Sequence, residues 1–155
     1  MTKIISMLNN LLASAKNIPE SITLFTARLA IFTVFWRSAQ TKISGAEFLG
    51  QNWAFFNVSD STKLLFEYEY DLPLIPADIA AYLATFGEFF LSLLLLLGLF
   101  TRLGALGLLV MTAVIQFLVY PGAWPTHILW AAAILYVLKD GPGKLSLDYL
   151  LTKKA

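Results

Sequence analysis

Hydrophobic residues along the chain fall into four runs, separated by two short turns and one long connection. The runs cover 22–35, 79–100, 103–119 and 128–138. An α-helix needs about 20 predominantly apolar residues to cross the hydrocarbon core of a bilayer. The pattern therefore predicts an all-α integral membrane protein, a four-helix bundle with transmembrane helices at about 22–41, 78–100, 103–120 and 124–139.

The fourth predicted helix is the shortest. It reaches bilayer length only if Trp124 and Tyr136 lie at the two membrane interfaces, where aromatic residues are enriched. A re-entrant helix is the alternative interpretation of this segment.

The amino-acid composition also indicates that the chain lies in a lipid bilayer. Hydrophobic residues make up 58% of the 155 residues and charged residues 14%, against roughly 45–50% and about 25% in water-soluble domains. The net charge of +1 gives no basic surface for a nucleic acid. The absence of cysteine excludes disulfides, thiolate metal sites and cysteine nucleophiles. We therefore expect a single membrane domain over 1–155 that lies in the lipid bilayer and binds no nucleic acid.

The distribution of charge predicts the orientation, because cytoplasmic loops carry an excess of Lys and Arg. The stretch from Ile43 to Asp78 has one lysine against six carboxylates, a net charge of −5, and is expected outside the bacterial inner membrane. Both termini are then cytoplasmic, which requires an even number of spans. The basic residues near the predicted inner ends are Lys3, Lys16, Arg102, Lys139, Lys144, Lys153 and Lys154.

The segment 1–17 has helical periodicity. Ile4, Leu8, Leu11 and Ala15 recur at helical spacing, with polar residues between them. This pattern predicts a short amphipathic helix at the inner interface. A frayed polar leader is the alternative.

The connection 43–77 is too aromatic for a solvated loop. Ser59 or Asp60 is suited to cap the start of a short helix that extends to Tyr68. We expect the connection to fold over the mouth of the bundle as a lid, or to rest on the outer membrane face. Three carboxylates alternate with its aromatic residues, and alternating side chains diverge, so we expect no metal site there. Its aromatic residues include Phe48, Trp53, Phe55, Phe56, Phe66, Tyr68 and Tyr70.

Three charged residues, Arg28, Arg37 and Glu88, are predicted at membrane depth, where an ionisable group costs about 2.5–3.5 kcal/mol on insertion scales. Glu88 lies ten residues into the second run, and Arg28 lies near the middle of the first. A hydrogen-bonded Arg28–Glu88 pair would leave neither charge isolated. A proton-active or ligand-binding Glu88 is the functional alternative to this structural pair.

A second polar group is predicted at the outer ends of the spans. His127 is the only histidine of the chain, and a single imidazole is able to ligate haem or to hydrogen-bond a quinone. A capping or interfacial role is the alternative for this histidine. The residues that form the candidate ligand vestibule under the aromatic connection are Arg37, Gln40, Lys42, Gln116, Tyr120 and His127.

These residues resemble the DoxX family of small bacterial membrane proteins, which is related to the DoxD-type subunit of thiosulfate:quinone oxidoreductase. The resemblance covers roughly Leu24 to Asp148. It rests on Arg28 in the first span and Lys42 at its outer end, and on Glu88 followed by LLGLFTR at 96–102 with Arg102 in the cytoplasmic turn. Trp130 and DGPGKLSLD at 140–148 complete it.

The resemblance implies an inner-membrane accessory subunit, without catalysis of its own, in a redox or metal-stress system that is linked to quinone. Quinone or haem is then the cofactor to consider, and other membrane or periplasmic proteins, or further copies of the chain, are the partners. One alternative is a partner or transport component for an exported metal-binding peptide, since LPLIP at 72–76 resembles a subgroup associated with such peptides. The other is a small-solute or proton carrier that uses Glu88. No catalytic triad order or phosphate loop is present, so we expect no autonomous enzyme.

Overall fold

The computed structural model describes residues 2–153 and is mostly helical. The helices are α1 (Thr2–Ala13), α2 (Glu20–Lys42), α3 (Asp60–Leu65), α4 (Ala77–Leu97), α5 (Thr101–Val119), α6 (Trp124–Asp140) and α7 (Leu147–Thr152). A 3₁₀ turn at Ser14–Asn17 follows α1, and the strands β1 (Glu47–Phe48) and β2 (Gln51–Asn52) pair antiparallel between α2 and α3. Lys154 and the side chains of Lys3, Leu8 and Leu11, which entered the predictions above, lie outside the described part.

Four long helices, α2, α4, α5 and α6, pack around one core. Its residues are almost completely buried and come from all four helices: Ile31, Phe35, Leu95, Ala105, Leu108, Ile134 and Val137. Three of the helices, α2, α4 and α5, are long and apolar enough to cross a membrane. The fourth, α6, has 17 residues, which rise about 25 Å at 1.5 Å per residue. The chain is therefore a membrane protein with three candidate spans, and a fourth span at α6 stays a prediction.

Small residues allow α4 and α5 to approach closely, because helices in lipid associate through tight packing. A Cβ added at Gly107 would lie 2.6 Å from Leu91 Cδ1, and one at Gly104 would lie 2.8 Å from Leu95 Cδ1. Gly104 and Gly107 are three residues apart and adjoin Ala105, a spacing that predicts close helix contact, and the structure contains this contact.

Three helical turns within residues 2–153 are π-helical. They lie at Phe66–Tyr70 after α3, at Gly87–Leu91 inside α4 and at Ile115–Val119 at the end of α5. Such turns are rare, occur mostly as single insertions in α-helices, and are frequent at functional sites. The hydrophobic pattern of the sequence does not reveal them. Each contains a residue that lines or supports the cavity described below.

We call the end of the bundle that carries residues 43–76 the loop end. The connection begins there with the β-hairpin, whose turn places Leu49 and Gly50 at φ values of 53° and 69°, as a two-residue type I′ turn requires. Ser59 then accepts a hydrogen bond from the backbone N–H of Thr62 and caps α3, as predicted. The fold is therefore not purely helical, since it includes a hairpin that the sequence pattern does not predict.

We call the opposite end, with the turn 98–100 and residues 141–153, the tail end. The Asp148 carboxylate accepts hydrogen bonds from the backbone N–H groups of Phe100 and Thr101, at 2.8 and 2.9 Å. It also accepts one from the Thr101 hydroxyl, while the Asp148 N–H donates to the Gly98 carbonyl. A carboxylate at this position satisfies N–H groups that have no partner within the helix. The two motifs at 96–102 and 140–148 thus bind each other, and Asp148 caps the start of α5.

Gly98 is the glycine of this junction with the least room for a side chain. Its φ is +66°, and a Cβ there would lie 2.5 Å from Ser146 Cβ and 2.6 Å from Arg28 Nη2. The left-handed conformation alone costs about 1–2 kcal/mol in a residue with a Cβ. We expect Gly98→Ala to destabilise the protein by at least about 2 kcal/mol in a thermal unfolding experiment in detergent.

Gly122→Ala is the matched control for this substitution. Gly122 lacks a positive φ, and nothing lies within 4 Å of the position that its Cβ would take. Equal melting temperatures for the two variants would contradict the close packing of the tail end.

Candidate functional site

A cavity of about 440 Å³ lies at the loop end, between α2, α4, α5 and α6 and beneath part of the connection. Most of its lining side chains are aliphatic or aromatic, a composition typical of ligand pockets that have a few polar groups. The polar lining residues are Ser38, Lys42, Tyr70, Glu88, Tyr120 and His127.

One wall of the cavity carries a buried ion pair between α2 and α4. The Lys42 ammonium lies 2.9 and 3.1 Å from the two carboxylate oxygens of Glu88, and the two side chains are only 7% and 5% exposed. Lys42 also donates to the Ser38 hydroxyl at 2.7 Å, and that hydroxyl donates to Glu88 at 3.0 Å. The three groups form a closed network in which each charge has polar partners, as burial of charge requires.

Glu88 lies within the π-helical turn Gly87–Leu91 of α4. Ser38 and Lys42 are four residues apart and lie on one face of α2, so both reach the same carboxylate. Ser38 is the member of the network that the sequence analysis missed. Its spacing from Lys42 was the available signal.

Arg28 has different partners, so the predicted Arg28–Glu88 pair is wrong. Arg28 is 1% exposed and lies toward the tail end. Its Nε and Nη2 donate to the carbonyls of Leu95 and Leu96 at 2.7 and 2.9 Å, and its Nη1 donates to those of Pro142 and Leu145 at 2.7 and 2.8 Å. Because α2 and α4 run antiparallel, Glu88 lies opposite Ser38, whereas Arg28 reaches the end of α4 and caps carbonyls that lack helical partners.

The opposite side of the cavity carries His127, at the first turns of α6. Its Nδ1 lies 2.8 Å from Gln116 Oε1. The Gln116 amide nitrogen donates to the Pro121 carbonyl at 2.7 Å, which fixes the orientation of the amide. The imidazole also packs on Trp130, with ring centroids 4.8 Å apart. His127 is therefore held by a polar and an aromatic partner while it lines the cavity.

The predicted vestibule is only partly formed. Lys42, Tyr120 and His127 line the cavity, and Gln116 supports His127. Arg37 is exposed on α2 and does not line the cavity. Gln40 also lies elsewhere, because its side chain exchanges two hydrogen bonds with the backbone of Asn52 in the hairpin. Placing Arg37 and Gln40 in the vestibule was wrong, since depth along α2 does not specify the face of the helix.

Arg102, the predicted residue of the turn between α4 and α5, lies at the tail end. Its Nη2 donates to the Lys139 carbonyl at 3.1 Å. Arg102 thus connects the start of α5 to the last turn of α6, far from the cavity.

Side chains of the connection cover the cavity at the loop end. Phe66, Tyr70, Leu72 and Ile75 line it from this direction. The Tyr120 hydroxyl, just after α5, donates to Glu69 at 2.6 Å. The hydrogen bond to this carboxylate raises the pKa of the Tyr120 hydroxyl, because it stabilises the protonated form. The cover is thereby attached to the end of α5.

The side of the cavity between α4 and α5 reaches the surface of the bundle. Leu83 of α4 and Val110 of α5 line the cavity and are also 58% and 56% exposed. Both helices are candidate spans, so this opening lies in the apolar belt of the protein. The cavity is therefore bordered on this side by side chains that also face the surface between α4 and α5.

These features define a helical membrane protein with a largely apolar cavity and two buried polar groups on its walls. The family model of DoxX matches residues 23–121, about two thirds of the chain. The chain belongs to the DoxX family, which confirms the resemblance. The matched segment contains most of α2 and all of α4 and α5, with Lys42, Glu88 and Gln116. His127 and the motif at 140–148 lie beyond it.

A relative from Haemophilus influenzae, described as an uncharacterized protein, is 27% identical to this chain over 146 residues. The matched residues cover 89% of each of the two chains. No solved structure matches the chain significantly.

Proposed function

We propose that the chain is a membrane-embedded accessory subunit of a redox system and that its cavity binds a lipid-soluble aromatic ligand of the quinone class. The observation that carries this proposal is a cavity with a largely apolar lining and buried polar groups on separate helices, Lys42–Glu88 and His127. An aromatic head group with polar atoms at both ends matches that distribution.

The lateral opening between α4 and α5 supports a ligand that is dissolved in the bilayer. A head group with an apolar tail would enter past Leu83 and Val110 and leave its tail in lipid. Haem fits less well, since its carboxylates need free cations and the lysine of the cavity is already neutralised by Glu88.

The proposal includes a location and an orientation. With α6 as a fourth span, both termini lie in the cytoplasm of a bacterial cell, and the tail end carries Arg102, Lys139, Lys144 and Lys153 on that side. The acidic loop end then faces the periplasm, where it is available to membrane or periplasmic partner proteins. Those partners supply the thiol or metal chemistry that a chain without cysteine lacks.

A proton or small-solute carrier that uses Glu88 is the second candidate, because this carboxylate lines the cavity. The structure favours it less, since the carboxylate is closed by Lys42 and Ser38 and has no connected polar path among the hydrogen bonds of the described residues.

The test is quinone binding by the purified protein. We expect protein from native membranes to retain extractable quinone in detergent, and a short-chain quinone to quench the fluorescence of Trp130, which lines the cavity beside His127. Replacing His127 with phenylalanine is expected to weaken binding of the corresponding short-chain quinol about tenfold, because the ligand hydroxyl loses a buried hydrogen bond. Background quinone together with unquenched fluorescence in the native protein would contradict the proposal.

Arg37→Gln is the matched control. It changes an exposed polar residue of α2 that does not line the cavity, so its binding of quinone and quinol should equal that of the native protein. An equal loss in both variants would show that the effect of His127→Phe is not specific to the cavity.

A further inference from the structure

We infer that the cavity selects the reduced, hydroxyl form of an aromatic ligand, a hydroquinone, over the oxidised carbonyl form. This inference rests on the proposed function and specifies the ligand of the same site. The buried polar groups on both walls present hydrogen-bond acceptors, while their donor hydrogens are used within the protein. A hydroquinone donates at both ends of its ring, whereas a quinone only accepts.

The acceptor at His127 follows from a chain of hydrogen bonds. The Gln116 amide nitrogen donates to the Pro121 carbonyl, so the amide oxygen faces His127 Nδ1. An oxygen there requires Nδ1 to carry the hydrogen, and in the neutral ring Nε2 then keeps a lone pair. Any hydrogen bond between a cavity ligand and this neutral ring is accepted at Nε2. Gln116 thus acts as a positioning residue.

The opposite wall leads to the same preference. An ammonium has three hydrogens, and those of Lys42 are directed to Glu88, to the Ser38 hydroxyl and to the Ser38 carbonyl. The Ser38 hydroxyl uses its own hydrogen toward Glu88. A carboxylate offers about four lone-pair sites, so Glu88 retains acceptor capacity. The network has room to accept a hydrogen bond but has no hydrogen left to donate.

The hydroxyl hydrogen of Tyr120, at the mouth, is also used within the protein, because it is donated to Glu69. The ring of Tyr70 packs edge-on against that of Tyr120, with centroids 5.6 Å apart. Trp130 has an indole N–H, which a quinone carbonyl would use if the cavity bound the oxidised form. Trp130→Phe therefore affects the two forms of the ligand differently. We expect it to weaken quinone binding and to leave hydroquinone binding at His127 and Glu88 unchanged.

The tautomer of His127 is measured directly by nitrogen NMR, because the chain has a single histidine. In protein labelled with ¹⁵N-histidine, we expect the hydrogen on Nδ1 at a pH where the ring is neutral. Gln116→Glu keeps an oxygen opposite Nδ1 and should keep this tautomer, whereas Gln116→Met removes the oxygen and should release it. A native protein with the hydrogen on Nε2 would overturn the inference without any ligand experiment.

Binding of duroquinol and duroquinone, measured without oxygen, tests the selectivity. We expect the native protein to bind duroquinol at least about tenfold more tightly, because a site built to accept hydrogen bonds rejects an analogue that cannot donate them. The ratio should fall to within about threefold of unity in Gln116→Met and persist in Gln116→Glu. Equal or tighter binding of duroquinone by the native protein would overturn the inference alone. Binding of neither compound would overturn the proposed function as well.

Discussion

Replacing Lys42 with methionine is expected to lower the free energy of unfolding by about 3–5 kcal/mol, because it leaves the Glu88 carboxylate buried without its cation. The two side chains are 7% and 5% exposed, so water cannot replace the ammonium without opening the bundle. Ser38 would then be the remaining partner of the carboxylate. Reversible unfolding in mixed detergent micelles, followed by helical circular dichroism, measures the effect.

The double variant Lys42→Met/Glu88→Met is expected to regain most of this loss. Removing both charges also removes the unpaired carboxylate, and apolar replacements of a buried pair are often neutral or stabilising. A double variant as unstable as the single one would mean that the shape of the network matters more than its charge.

Lys63→Met is the matched control for the lysine. Lys63 pairs with Asp60 at 3.2 Å, but the two side chains are 34% and 94% exposed. Exposed pairs contribute roughly 0–1 kcal/mol. The same small effect for Lys42→Met and Lys63→Met would contradict the expected cost of leaving Glu88 without its cation.

The second large effect is expected at the tail end. Arg28→Met should destabilise the protein by about 3 kcal/mol, since it leaves four carbonyls on two segments without their donor. For a chain of this size, that loss corresponds to a decrease in melting temperature of roughly 6–12 °C. Differential scanning fluorimetry in detergent is sufficient to detect it.

Arg28→Lys tests whether the stability depends on the donor geometry of the guanidinium or on its positive charge alone. A lysine keeps the positive charge but has three donors on one atom, whereas the guanidinium reaches both pairs of carbonyls with donors fixed in a plane. We expect Arg28→Lys to recover less than half of the stability that Arg28→Met loses. Arg37→Met, on the exposed face of α2, should change stability by no more than about 0.5 kcal/mol. A fully stable Arg28→Lys protein would show that a point charge at the end of α4 is enough.

Local pattern predicts part of this molecule well. The long apolar runs correspond to α2, α4 and α5, and the spacing of Gly104 and Gly107 predicts a close contact that the structure contains. Ser59 follows the rules for helix capping and caps α3. These features depend on composition and on neighbours along the chain, which the sequence shows directly.

Local sequence pattern could not predict the partners of the buried charges. Arg28 and Lys42 both lie on α2, and either one is a reasonable partner for Glu88 on grounds of charge. The outcome depends on how far α2 and α4 are offset along their axes and on the carbonyls at the end of α4, which attract Arg28. Offsets between helices result from packing of the whole bundle, so the sequence of either helix does not reveal them.

The hairpin was missed for a different reason. Its turn uses Leu49 and Gly50, although Asn-Gly or Asp-Gly is the usual indication of such a turn. The strands have two residues each and contact Trp36 and Gln40 on α2 through Gln51 and Asn52. Tertiary contacts therefore stabilise a structure that local propensity does not favour.

The π-helical turn at Gly87–Leu91 has a consequence for comparing DoxX proteins. A π turn amounts to one residue inserted into an α-helix, and each residue of an α-helix turns the chain by about 100°. A homologue that lacks this residue would align with a one-residue gap near 87–91, and its acidic residue would point away from the position of Lys42. Chain length in this turn, as well as the identity of the residues, therefore determines which homologues are able to form the same cavity wall.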